Sequence, residues 1–193
     1  MDLPALAYVT ASVALILTPG PDTAFVLAQS LGGGRAAGVR AAAGVSLGVL
    51  VHTVAAVVGL SVVFEASPVA YRAVTLLGAA YLLYLGVVTL RGTGGIDLES
   101  NGEDGLRQGF LTNVLNPKVA LFFIAFLPGF GEGLELLPLG VLYAVLTMAY
   151  LGPLALLSGA ASDLVRRPGV QRLLRLLSGG VLCVLGVVVL GGV

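Results

Sequence analysis

The chain has 193 residues with ten basic and ten acidic side chains, 58% hydrophobic residues and a mean hydropathy of +1.03. Only 10% of its residues are charged, whereas soluble domains carry about 25%, so the composition excludes a water-soluble globular domain. The net charge is zero and there is no basic tract, which excludes a nucleic-acid-binding surface. Apolar runs of about 20 residues, enough to cross the hydrocarbon core of a bilayer, recur along the chain and predict an integral membrane protein.

Six apolar segments are predicted to be membrane helices, because the runs are continuous rather than alternating as they would be in a membrane barrel. They cover residues 3–31, 41–63, 69–90, 108–128, 136–158 and 174–191. We expect them to form one transmembrane domain over residues 1–193. The first segment lacks the basic leader of a cleaved signal peptide, so we expect it to be retained.

The linkers between these segments carry the charges that predict orientation. Eight of the ten cations lie in or beside the first, third and fifth linkers: Arg35, Arg40, Arg91, Arg107, Arg166, Arg167, Arg172 and Arg175. A ninth, Lys118, lies a little way inside the fourth helix from the same side. The opposite side carries one cation and four acids: Arg72, Asp2, Glu65, Glu132 and Glu135. The positive-inside rule then makes loops 1, 3 and 5 cytoplasmic and leaves both termini outside.

The one long linker, residues 91–108, divides the chain into two triplets of helices. The second triplet enters the membrane from the side opposite to the first, so any similarity between them would be an inverted repeat, as in many secondary transporters. Each triplet opens with an interrupted helix, LTPGPDTAF at 17–25 and LTNVLNPKVALFF at 111–123. The predicted fold is therefore an all-α integral membrane protein with six transmembrane helices, arranged as a 3+3 inverted repeat with interrupted helices 1 and 4.

The interruptions follow from proline chemistry. Proline inside a helix removes a backbone hydrogen bond and clashes with the preceding turn, at a cost of about 3 kcal/mol or more, so Pro19 and Pro21 around Gly20 are predicted to break helix 1. Asn116 and Pro117 have the form of a helix start, with Asn as N-cap and Pro at the first helical position. The freed backbone groups must be buried or line a wet cavity, and the new helix N-termini suit an anion such as a carboxylate.

Asp22 and Lys118 are the charges beside the two breaks. Each lies roughly 12–14 Å from the cytoplasmic end of its helix, at 1.5 Å rise per residue. Isolated charges in a membrane are costly, so opposite charges at equal depth are expected to pair or to line a wet site. The alternative is an architectural ion pair, or a lysine that extends its ammonium to the interface. The candidate transport residues are Thr18, Pro19, Gly20, Pro21, Asp22, Asn116, Pro117 and Lys118.

Helix 2 carries Gly44, Gly48 and His52 at intervals of four residues on one face. Small residues at this spacing let another helix approach closely, so Gly44 and Gly48 predict a packing face. His52, the one histidine, is expected either to hydrogen-bond across helices or to act in a proton relay.

Residues 44–48 also match the G-x-S-x-G nucleophile motif, but that motif requires a strand-to-helix turn, and Ser46 lies about 240° from His52 around the helix. We therefore reject a serine hydrolase.

No metal-ligand spacing, Walker loop or dinucleotide fingerprint occurs in the sequence, which predicts no cofactor, no metal and no enzyme. The single cysteine, Cys183, lies in an apolar run and excludes an internal disulfide.

Helix 5 carries the polar residues Tyr143, Thr147 and Tyr150. Tyrosines within membrane spans line a cavity or, more commonly, belong to an interfacial belt.

The whole chain resembles the LysE/RhtB family of small amino-acid exporters. The similarity rests on TPGPD (18–22), RAAGVRAAAGVSLGVLVHT (35–53), LGAAYLLYLG (77–86) and GFLTNVLNPKVALFFIAFLP (109–128). These motifs cover the first four helices in the family's order and spacing. The last two helices match mainly in length and glycine content.

The resemblance implies export of amino acids or close derivatives, driven by the proton motive force, by a homo-oligomer in the cytoplasmic membrane of a prokaryote. It also implies that Pro19 to Asp22 and Asn116 to Lys118 lie at the transport centre. Relatives resembling lysine and arginine exporters tend to carry an acidic residue after the second glycine of helix 2, where this chain has Val49. We therefore expect small neutral substrates such as homoserine, threonine or leucine-like amino acids, as in the homoserine/threonine-type branch. The expected partners are this substrate, protons and membrane lipid.

A zwitterionic substrate would place its carboxylate against the half-helix N-termini and Lys118, and its ammonium against Asp22. Protonation of Asp22, relayed by His52, would weaken the ammonium contact and couple release to proton entry. Two alternatives stay open: an exporter of another small solute or ion with the same architecture, and an accessory membrane subunit without transport of its own. Sparse carboxylates and a lone cysteine count against a soft-metal path, and a scaffold has no evident use for two costly helix breaks.

Overall fold

A computed structural model describes residues 3–91, 104–158 and 167–191 of the chain. Within these residues there are seven α-helices and two short 3-10 helices, and no β-strand. The α-helices, numbered α1 to α7, are Leu3–Leu17, Pro21–Ala66, Pro68–Arg91, Gly105–Val114, Pro117–Ala125, Leu136–Leu156 and Pro168–Gly191. The 3-10 helices Leu127–Phe130 and Gly133–Glu135 connect α5 to α6. Most of the predicted third linker, part of the fifth with Arg166, and Asp2 lie outside the described residues.

Both interruptions occur where proline is found in the sequence. α1 ends at Leu17 and α2 begins at Pro21, and α4 and α5 meet at an angle of 49° around Leu115 and Asn116. Proline is tolerated as the first residue of α2 and of α5, because the first amides of a helix have no intrahelical partner. At α5 the side-chain oxygen of Asn116 also accepts a hydrogen bond from the Lys118 amide at 3.0 Å, which is an N-cap. Local chemistry therefore fixes where the second half-helices begin.

The predicted linker over residues 32–40 is reduced to a break at one residue, Gly34, and the rest of the range is helical. α2 runs from Pro21 to Ala66, and within it only Gly34 has non-helical angles, φ 79° and ψ 175°. Glycine adopts positive φ at no steric cost, so one residue redirects the chain, and the alanine-rich stretch after it favours helix. The last helix similarly begins at Pro168 rather than at residue 174, with proline again in the first position.

Three described segments are long and apolar enough to cross a membrane: Pro21–Gly59, Gly133–Leu156 and Pro168–Gly191. The bent pair Gly105–Val114 and Pro117–Phe130 makes a fourth if it is counted as one span. The apolar helices Ala5–Leu17 and Thr75–Arg91 are shorter. Three or four segments of the described chain, rather than the six predicted, therefore meet the length and hydropathy requirements.

Large apolar side chains face outward while polar side chains lie inside. Outward-facing residues on α2, α6 and α7 include Val54, Val58, Val145, Val184 and Val187, each more than half exposed. The buried polar residues include Thr18, Asp22, Gln29, His52, Asn113, Asn116 and Thr147. Soluble proteins rarely expose such large apolar patches. The chain is therefore a multi-pass membrane protein with a polar interior.

Close helix packing brings α4 against α2. α2 packs against α4 and α6, and α3 pairs with α7. A Cβ atom added at Gly48 would lie 2.8 Å from Asn113 Cβ and 3.0 Å from the Phe110 carbonyl oxygen, and one at Gly44 would overlap the Leu106 carbonyl. Glycine at these two positions thus lets the backbone of α4 lie directly on α2, as small residues do in membrane helix packing. This contact positions Asn113, in the last turn of α4.

Candidate functional site

The two helix breaks lie against each other through Lys118. This lysine is the second residue of α5, and its Nζ donates to the carbonyl oxygens of Thr18 at 2.9 Å and Leu15 at 3.2 Å. Carbonyls at a helix C-terminus lack intrahelical partners and carry partial negative charge, so a cation is favourable there. A Cβ at Gly20 would lie 3.2 Å from Lys118 Nζ, so the glycine leaves room for the approach. The ammonium of α5 thus caps the end of α1.

Asp22 occupies the equivalent place on the other half-helix, as the second residue of α2. Its side chain is 9% exposed, and its Oδ2 accepts a hydrogen bond from Asn113 Nδ2 at 2.8 Å. Its Oδ1 is buried and has no hydrogen-bond partner. A buried carboxylate oxygen without a donor is costly, so this atom is free to accept from an incoming group.

Asn113 also contacts His52 through its backbone. The Nε2 atom of His52 donates to the Asn113 carbonyl oxygen at 3.0 Å, and the ring lies 6.1 Å from that of Phe123. His52 therefore supports the end of α4 much as Lys118 supports the end of α1. It reaches the Asp22 carboxylate only by way of Asn113, and a carbonyl oxygen carries no proton to pass on.

A cavity of about 20 Å³ lies between the two charges and α6, which is room for about one water molecule. Its polar lining is Asp22, Thr23, Asn113, Lys118, Tyr143, Thr147 and Tyr150. Its apolar lining is Ile16, Val119 and Leu151. Pockets that hold small molecules are usually about 300 Å³ or more, so in this structure the cavity is too small for an amino acid. In the described part of the chain, no three His, Cys, Asp or Glu side chains lie close enough to hold a metal ion.

Two groups of side chains lie on either side of the cavity along the helices. On one side, aromatic rings from α1, α6 and the segment from α5 to the first 3-10 helix pack with centroids 4.9–6.5 Å apart: Tyr8, Phe122, Phe123, Phe126, Phe130 and Tyr143. On the other side, two turns along α2 from Asp22, Gln29 Nε2 donates to Gln108 Oε1 at 3.3 Å. Gln29 is only 1% exposed, so this hydrogen bond joins α2 to α4 inside the protein.

Most of the predicted site residues are found at this junction. Asp22, Lys118, Gly20 and the backbone of Thr18 meet there, while the Thr18 hydroxyl donates to Ala14 within its own helix at 2.9 Å. Asn116 acts as the cap of α5, and the three prolines shape the breaks.

The sequence did not single out Asn113, and it left the tyrosines of α6 between a cavity lining and an interfacial belt. Tyr143 is 2% and Thr147 4% exposed, and both line the cavity with Tyr150, whereas the sequence favoured an interfacial position for such tyrosines. A signal existed, because residues 143, 147 and 150 recur at helical spacing and form one polar stripe on an apolar helix. Asn113 lies one turn before the Asn116–Pro117 break in the same polar stretch.

The family model for LysE type translocators matches residues 13–192, which include both breaks and the cavity. An uncharacterized membrane protein of Pseudomonas aeruginosa is 38% identical over a region covering 75% of this chain and 74% of that protein. The leucine efflux protein of Salmonella typhimurium is 32% identical, with 79% of this chain and 77% of that protein covered. No solved structure matches the chain. The chain belongs to the LysE type translocator family, whose members are membrane transporters rather than enzymes.

Proposed function

We propose that the chain exports small neutral amino acids across the cytoplasmic membrane of a prokaryotic cell, driven by the proton motive force. The observation that carries this proposal is a single cavity lined by a carboxylate and an ammonium, Asp22 and Lys118. Each has unused hydrogen-bonding capacity, because Asp22 Oδ1 has no partner and Lys118 uses two of its three N–H donors. An amino-acid zwitterion carries the two complementary charges.

The substrate carboxylate binds the third N–H of Lys118 and free amides at the starts of α2 and α5, and its ammonium binds Asp22 Oδ1. Residues Thr18 to Asp22 and Asn116 to Lys118 form the transport centre. The apolar wall of Ile16, Val119 and Leu151 receives the substrate side chain. A small aliphatic side chain fits this wall, in agreement with the name of the leucine efflux relative and with Val49 where an acidic residue would favour cationic substrates.

Transport requires the cavity to enlarge and to open on alternate sides. The six predicted spans, arranged as a 3+3 inverted repeat, rock about the paired breaks. Toward the cytoplasm the Gln29–Gln108 contact separates, and toward the outside the group of aromatic rings does so. Protonation of Asp22 from the outside weakens its hold on the substrate ammonium, which couples release to proton entry. A relay through His52 requires water between its ring and Asp22, since Nε2 is held at the Asn113 carbonyl.

The proposed orientation places loops 1, 3 and 5 in the cytoplasm and both termini outside. It is supported by the positions of the basic residues, nine of which fall on the proposed cytoplasmic side and one on the other. The chain acts as one transmembrane domain and as a homo-oligomer, as the resemblance to the LysE/RhtB family implies. Within that family the homoserine/threonine-type branch is favoured, because Val49 leaves no second acidic group in α2.

Efflux from loaded cells tests this proposal. Cells with and without the protein are preloaded with radiolabelled leucine, threonine, homoserine or lysine, and efflux is followed with and without an uncoupler. We expect uncoupler-sensitive efflux of at least one neutral amino acid and none of lysine. No efflux of any amino acid, from protein shown to be in the membrane, would refute the proposal and favour an exporter of another solute.

A further inference from the structure

Asn113 joins α4 to both parts of α2, the one before and the one after the Gly34 break. Its side chain donates to Asp22 of α2, and its carbonyl oxygen accepts from His52, which lies later on the same helix after the Gly34 break. The side chain is 1% exposed and packs into the space left by Gly48. Among the described residues, Asn113 is the one whose side chain donates to the Asp22 carboxylate.

The amide of Asn113 is only half used. Its Oδ1 is buried and has no hydrogen-bond partner, and neither has Asp22 Oδ1. Buried polar atoms in proteins are nearly always paired, so an unpaired oxygen beside a carboxyl group points to a contact made in another state of the protein. An amide is suited to two such states, because its nitrogen donates and its oxygen accepts.

We propose that Asn113 is a positioning residue that holds Asp22 in both protonation states of the transport cycle. With Asp22 ionised, Nδ2 donates to the carboxylate. When a proton from the aqueous phase binds to Asp22, the amide turns by about 180° about its Cβ–Cγ bond, and Oδ1 accepts from the new O–H. The amide itself gains and loses no proton. This inference rests on the proposed function, which supplies the proton.

Other charged and titratable groups also face Asp22. Lys118 of α5 contributes a positive charge, Tyr143 and Tyr150 of α6 contribute hydroxyls, and His52 lies behind Asn113. They remain unchanged when Asn113 is substituted. A change in the pH dependence of export that occurs in an Asn113 variant and not in a control variant elsewhere on the chain therefore originates at residue 113, whose side chain contacts Asp22.

The test is the pH dependence of export by purified full-length protein in lipid vesicles, for wild type and N113D. In N113D two carboxyl groups share one site, so the pH midpoint of export should move toward alkaline pH by about one unit or more. The matched control is Q171E, which makes the same amide-to-carboxyl change on α7, at a half-buried residue that does not line the cavity. Its midpoint should equal that of wild type.

An N113D protein that is slower but has the wild-type midpoint would overturn the inference and leave Asn113 a packing residue. Wild-type export without any pH dependence would refute proton coupling itself and the inference with it. If N113D does not export, infrared spectroscopy of the wild-type protein tests the inference instead. The band of the protonated Asp22 carboxyl group is identified by its loss in D22N. A band at the hydrogen-bonded frequency supports the inference, and a free-carboxyl band or no titrating band overturns it.

Discussion

Lys118 Nζ lies 2.9 Å from the carbonyl oxygen of Thr18, so a side chain at the start of α5 closes the last turn of α1. The two interrupted helices are therefore joined by one ammonium group. In the proposed cycle the same group binds the substrate carboxylate. The three N–H donors of Lys118 are thus shared between the α1 carbonyls and the substrate. Substrate binding should therefore change how tightly α1 is held.

Lys118→Met tests this double role. Methionine has a similar length but no donor, so Thr18 O loses its Lys118 partner, at a cost of about 1–3 kcal/mol. For a chain of this size we expect the Tm in detergent to fall by roughly 2–4 °C for each kcal/mol. Export should also fall by at least about tenfold in kcat/KM, equivalent to about 1.4 kcal/mol. Lys118→Arg keeps the charge and should be intermediate; a K118M protein with wild-type Tm and kinetics would contradict both roles.

Asn116→Ala removes the N-cap of α5. The lost bond is the one from the Lys118 amide to Asn116 Oδ1, and N-cap removal costs about 0.5–2 kcal/mol. We expect a lower Tm together with a higher KM, because Lys118 is the second residue of the helix that the cap orients. Asn116→Ser keeps an N-cap oxygen and is the matched control. Equal losses in the Ala and Ser variants would show that the cap is not what Asn116 contributes.

Gly48→Ala tests the contact between α2 and α4. The added Cβ would meet Asn113 Cβ and Oδ1, both at 2.8 Å, so α4 must shift and take Asn113 away from Asp22. We expect most export activity to be lost. Gly59→Ala is the matched control on the same helix, since a Cβ there meets nothing within 4 Å. Alanine also stabilises a helix by about 1 kcal/mol relative to glycine. G48A with wild-type export would mean that close packing at this point is not needed.

His52→Gln separates a cap from a proton relay. The glutamine amide can donate to Asn113 O as Nε2 does, but it does not titrate. We expect H52Q to keep most of the wild-type export and H52A to lose most of it, when both are measured at equal amounts in the membrane. An H52Q protein as inactive as H52A would contradict the cap role and favour a role for the imidazole itself, such as the proton relay.

The breaks could be predicted from sequence because proline and N-cap chemistry are local: Pro21 and Pro117 each begin a helix in the structure. The linker before residue 41 could not be predicted, because a short glycine-rich stretch is compatible with a loop or with helix, and only Gly34 departs from helix. Tyr143 and Asn113 were not assigned to the site, because their contacts depend on how α4 and α6 pack against α2. The sequence singles out Asp22 and Lys118 because a charge inside an apolar, membrane-spanning segment requires an explanation.

Asp22 is central to the proposed mechanism, in which it binds the substrate and couples substrate release to proton entry. The most direct measurement is export of a radiolabelled neutral amino acid by purified protein in lipid vesicles with an imposed pH gradient, comparing wild type, Asp22→Asn and Asp104→Asn. Asp104 is exposed before α4, outside the cavity, so D104N makes the same chemical change as a control. We expect gradient-driven export by wild type and D104N, and a loss of at least about tenfold in D22N, equivalent to about 1.4 kcal/mol. Gradient-driven export by D22N at the wild-type rate would contradict the account.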